Sequence, residues 1–78
     1  MTENELAKII VDAAYKVHVA LGPGLLESVY EVVLAHELRR RGLNVDRQLP
    51  IPIRYDSIVF EEGFRADLVV ENLVIIEL

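Results

Sequence analysis

Seventy-eight residues with thirteen acidic and eight basic side chains carry a net charge of −5 and no cysteine, so a single small domain spanning residues 1–78 has neither a disulfide nor a thiolate metal site to staple it. The charge balance counts against avid non-specific nucleic-acid binding, which rests on Lys and Arg neutralising phosphates, but not against an acidic site whose bound cation reverses the local sign. The hydrophobic fraction is 53% and the mean hydropathy +0.31, high for so short a chain, which must therefore lean on tight packing, a partner subunit or further chain.

The N-terminus, Met1-Thr2-Glu3-Asn4-Glu5, is acidic and unlike a signal peptide, and no apolar run approaches the ~20 residues of a membrane span. A cytoplasmic protein with no membrane contact is the expectation. Thr2-x-x-Glu5 has the form of a capping box. Leu6, Ile9, Ile10, Ala13, Ala14, Val17 and Leu21 then recur at the spacing of a helix with one buried stripe. Gly22-Pro23-Gly24 ends it. A second helix begins near Leu25, buries Leu26, Val29, Tyr30, Val33, Leu34 and Leu38, and runs to about Arg41 with Gly42 just past its end. The Arg39-Arg40-Arg41 run suits a helix C-terminus; a phosphate-binding patch is the alternative.

From Asn44 the period becomes two. Val45, Leu49, Ile51, Ile53 and Tyr55 fall on one side and Asp46, Gln48 and Arg54 on the other, with Arg47 interrupting the apolar side. Pro50 and Pro52, two apart, place their missing donors along one border and put this strand at the sheet edge. Asp56-Ser57 is a turn. Ile58 to Val70 is a long second strand that Gly63 bends or bulges. Glu71-Asn72 is the next turn, and Leu73 to Leu78 reads as a third strand buried on both faces. The fold class is α+β: two N-terminal helices packed on a three-stranded antiparallel meander.

The last two strands each carry one carboxylate among aliphatic neighbours, Asp67 and Glu77. A charge there is costly unless paired or bound to a metal. With a two-residue loop Asp67 faces Ile76 and Glu77 points to the other side. With three residues or a bulge, Asp67 faces Glu77 with Cβ atoms about 5 Å apart, a spacing at which two carboxylates grip one hard cation. The plain alternative pairs Asp67 with Arg65 or Arg54 and leaves Glu77 in solvent.

Gly24-x-x-Glu27-x-x-Tyr30, followed by Arg65-Ala66-Asp67-Leu68-Val69-Val70 and Val74-Ile75-Ile76-Glu77-Leu78, resembles the GxxExxY family of the PD-(D/E)xK nuclease-like superfamily. The resemblance implies a restriction-endonuclease-like α/β/α core, present here in part and lacking the last helix and strand, and a Mg²⁺-dependent phosphodiesterase site, with Mn²⁺ as the other usable ion. It implies Glu27, Asp67 and Glu77 as the catalytic and metal-binding carboxylates, the carbonyl of Leu78 as a further ligand, and nucleic acid as substrate. The lysine of the E-x-K element would follow Leu78, so a truncated domain with inefficient turnover is expected. Tyr30 matches the motif and lies on the apolar stripe, so it either packs or supports the site; Gln48 either contacts the site or a phosphate, or is an exposed polar residue of the edge strand. His18 and His36 show no metal spacing. The rival function is a non-catalytic interaction or dimerisation module using the exposed third strand, and a homo-dimer or higher oligomer is expected on either reading because that strand has an open side.

Overall fold

Thr2 opens helix α1 (Glu3–Leu21): Glu5 N donates to the Thr2 hydroxyl at 3.1 Å while Thr2 N donates to Glu5 Oε1 at 2.9 Å, the reciprocal capping box in the computed structural model, which describes residues 1–78. Leu6, Ile10, Ala13 and Val17 are buried along one stripe, with Ile9 and Ala14 packed beside them. Leu21 is exposed rather than buried, because the helix has by then run past the elements it covers.

Helix α2 (Glu27–Arg40) starts two residues later than the apolar run suggests, with Leu26 as N-cap. Its end is a complete Schellman motif. Gly42 N donates to Arg39 O at 2.9 Å and Leu43 N to Leu38 O at 3.2 Å, with Gly42 at φ +87°, a conformation that glycine adopts without a Cβ penalty. The buried residues of α2 are Glu31, Leu34, Ala35, Glu37 and Leu38, with Tyr30 and Val33 half-buried. Leu26 and Val29, expected inside, are exposed: α2 packs through its middle and C-terminal turns, so its first turn projects beyond the core.

Strands β1 (Val45–Tyr55), β2 (Ile58–Val70) and β3 (Val74–Ile76) form one antiparallel sheet in the order β1-β2-β3. β1 is an edge strand, as its prolines require, with Pro50 opposite Arg65. Asp56 and Ser57, both left-handed at φ 56° and 64°, join Tyr55 to its partner Ile58. The ladder shifts register between Ile51 and Ile53, where Glu61, Glu62 and Gly63 stand against Pro52 alone. Gly63 permits this bulge because a Cβ there would collide with the carbonyl oxygen of Ile51.

Both helices lie on one face of the sheet, so the α+β architecture expected from the periodicities is present. Leu6, Ile10, Ala13, Val17, Leu34, Ala35, Leu38 and Leu43 meet Val45, Leu68 and Val70, and Val74 and Ile76 pack against them. β3 is shorter than the Leu73–Leu78 run and is not buried on both faces: Val74 and Ile76 face the helices while Ile75 remains 47% exposed on the uncovered side. Ile53, Tyr55, Ile58, Val59 and Phe60, toward the hairpin tip, are all exposed. The tip extends the molecule to 45 × 30 × 16 Å, with a radius of gyration of 14.0 Å. No helix is long and apolar enough to cross a membrane.

Candidate functional site

Asp67 lies on β2, the strand with a neighbour on each side, between the buried Ala66 and Leu68. It is half-buried. Leu78 N donates to its Oδ2 at 2.8 Å and Gln48 Nε2 to its Oδ1 at 3.3 Å. Arg65 and Arg54, the partners of the plain alternative, make no ion pair with it; Arg54 stands opposite Val59 near the hairpin tip, beyond the bulge. Asp67 is thus held by neutral donors that orient the carboxylate without cancelling its charge.

The loop before β3 has three residues. Glu71 and Asn72 are left-handed at φ 54° and 53°, Leu73 N donates to Val70 O at 3.0 Å, and Val70 pairs with Val74. Of the two registers open from sequence this is the one with Leu68 opposite Ile76, which continues to Asp67 level with Glu77. Glu77 is one residue past β3 and exposed. Leu78, also exposed, bends back so that its amide reaches Asp67.

Glu27, the first residue of α2, is exposed and occupies the first turn, where the helix dipole favours a negative charge. One turn later on the same face comes Glu31, which is 6% exposed. Its Oε2 accepts from Arg47 Nε at 3.1 Å and pairs with Arg47 Nη2 at 3.1 Å, and its Oε1 accepts from Gln48 Nε2 at 2.5 Å. A hydrogen-bonded chain therefore runs from α2 through Gln48 to Asp67, with Glu31 rather than Glu27 at its helical end. No three His, Cys, Asp or Glu side chains lie close enough together to hold one metal ion.

Sequence reasoning missed Glu31, although a signal was present. Glu31 stands with Leu34, Ala35 and Leu38 at i+3, i+4 and i+7, so a carboxylate interrupts the apolar stripe of α2 just as Arg47 interrupts that of β1. Opposite charges breaking two facing apolar surfaces are each other's natural partners.

Arg47 and Gln48 are consecutive in β1, and both side chains reach Glu31. In a regular strand they would point to opposite faces. Gln48 sits at φ +53°, a left-handed conformation in the middle of β1, so its own side chain departs from the alternation that Val45, Leu49 and Ile51 keep on either side of it.

Tyr30 serves the helix pair. Its hydroxyl donates to Gly22 O at 3.1 Å and meets His18 Nδ1 at 2.8 Å, and its ring packs against the core. The arginine run closes the helix end: Arg39 Nη2 donates to Val45 O at 2.8 Å, Arg40 and Arg41 donate to the buried Glu37, and Arg41 Nη1 reaches Asp12 at 2.8 Å. Hydrogen bonds from Arg40 and Arg41, with Lys16 3.6 Å away, hold the Glu37 carboxyl down at about 2 from an ordinary value of 4.5. Glu5 is also lowered, by its bonds with Thr2 in the capping box.

A family model for the PD-(D/E)XK nuclease superfamily matches residues 4–78. No curated protein and no solved structure matches the chain.

Proposed function

The chain belongs to the PD-(D/E)XK nuclease superfamily, and from that premise we propose that it carries a phosphodiesterase-type metal site centred on Asp67, with nucleic acid as the substrate class. Nucleases of this superfamily generally use divalent metals. The observation that carries the reading is the state of Asp67: half-buried, bonded by one side-chain amide and one backbone amide, and without a Lys or Arg to neutralise it. A carboxylate oriented in this way and paired with no cationic side chain fits a hard cation, which takes oxygen ligands and keeps several waters.

In this reading Asp67 and Glu77 would hold Mg²⁺, or Mn²⁺ in its place, and the carbonyl of Leu78 would add a neutral oxygen. Glu27 is the helical carboxylate on the finer GxxExxY resemblance, which rests on Gly24, Glu27 and Tyr30. Glu31 supports the Asp67 side through Gln48 and Arg47. When bound, the ion would supply an activated water and offset charge on the scissile phosphate. Ala66 and Leu68, both buried, fix the strand that presents Asp67.

Titration calorimetry with Mn²⁺ tests this reading. The wild-type chain is expected to bind and Asp67→Ala to lose binding; equal heats from the two proteins would overturn the proposal.

A second reading, a dimerisation module, is favoured by β3 itself. Its outer edge pairs with no strand, and Ile75 and Leu73 are exposed beside it. A homo-oligomer is compatible with either reading.

A further inference from the structure

A left-handed residue that is not glycine, asparagine or aspartate is uncommon, and within a strand it costs both backbone energy and a place in the ladder. Gln48 bears both: its φ is +53°, and the β1–β2 pairing passes from Arg47↔Leu68 to Leu49↔Ala66 without it. What the conformation achieves is visible in its hydrogen bonds. The two N–H groups of its side-chain amide go to two different carboxylates, Oε1 of Glu31 and Oδ1 of Asp67. Glu31 is buried and fixed by Arg47, so one end of the bridge is anchored in the helix layer. The other end is a carboxylate with no cationic partner.

We propose that Gln48 is a positioning residue for the metal site: its strained backbone aims the side-chain amide so that the Glu31–Arg47 pair fixes the rotamer of Asp67, whose Oδ2 accepts from the Leu78 amide, for the ion that the site would hold. The inference rests on the metal reading of Asp67 given above. It assigns to Gln48 the work that residues hydrogen-bonded to metal ligands do elsewhere, orienting a ligand they do not replace. Arg47 could not substitute, because a guanidinium on Asp67 would cancel the charge that the ion requires.

Two substitutions separate positioning from mere structure. Gln48→Gly accepts the positive φ without strain and removes the amide. Gln48→Asn tolerates the same φ, keeps an amide, and is one methylene too short to span both carboxylates. If Gln48 positions Asp67, both variants remain folded by circular dichroism at the assay temperature while the Mn²⁺ dissociation constant measured by calorimetry rises about tenfold or more. Unchanged Mn²⁺ affinity in both variants overturns the inference, whatever happens to the melting temperature, and leaves the metal reading standing. Absence of Mn²⁺ binding by the wild-type chain overturns both together.

Discussion

Glu31 and Glu37 are buried carboxylates on one helix, and their partners give them different roles. Glu37 is surrounded by Arg40, Arg41 and Lys16, all within its own helix pair. Glu31 shares its charge with a strand residue sixteen positions away and passes a hydrogen bond on to Asp67 through Gln48. Because the Glu37 carboxyl is depressed to about 2 in the folded chain, its stabilising contribution is complete above its unfolded value of 4.5 and is lost as pH falls through about 2. The melting temperature of the wild type should therefore decline across the interval from about 4.5 to about 2 more steeply than that of Glu37→Gln, as followed by circular dichroism. Parallel curves would show that the arginines contribute nothing through this group. At this scale the sequence was partly legible. Asp67 stood out as a lone charge in an apolar strand, whereas nothing in the letter Gln announces a left-handed backbone at position 48, and the Glu31–Arg47 pair joins residues whose proximity only the packing of α2 on β1 creates.

The elements themselves were readable because each writes its period into the chain. The capping box, the stripe of α1, the two prolines and the Asp56-Ser57 turn all appear where periodicity and turn chemistry put them. The limits of β3 were not readable. Leu73 is as apolar as the strand that follows, yet it completes a three-residue loop, and the hydrophobic run alone does not reveal which of its members pair. The first turn of α2 misled for a similar reason, since apolar character at Leu26 and Val29 does not say how far the core extends beneath them. The β2 bulge is the element-scale feature most open to test. Gly63→Ala would drive a Cβ into the carbonyl of Ile51, a backbone atom that cannot swing aside as a side chain would. We expect a loss of about 1–3 kcal/mol, the usual cost of forcing extra volume into a packed place, measured by urea denaturation. An unchanged midpoint would mean that the hairpin slips register freely at this point.

As a whole the molecule is a two-layer body with one sheet face bare. Ile75 on that face and Leu73 at its border are exposed, as are Ile53, Ile58, Phe60 and Phe64 along the hairpin, and the outer face of α1 adds Val11, Tyr15 and Val19. These side chains lie on more than one surface of the molecule; the group at the open edge of β3, Ile75 and Leu73, sits where a second copy would add a strand. We therefore expect self-association at micromolar concentration, with equilibrium sedimentation giving a mass well above the 8.8 kDa of one chain; a monomer over that range would refute it and remove the support for the dimerisation reading.

The hairpin tip also governs how the particle moves through solvent. A compact chain of this length has a radius of gyration of about 11.5 Å, against the 14.0 Å observed, and the longest axis is nearly three times the shortest. Friction rises with such elongation at constant mass, so a single copy would migrate through a gel matrix or tumble in solution as if it were heavier. Elution volume and rotational correlation time therefore overstate its size, and a lone extended chain would pass for a pair in either measurement.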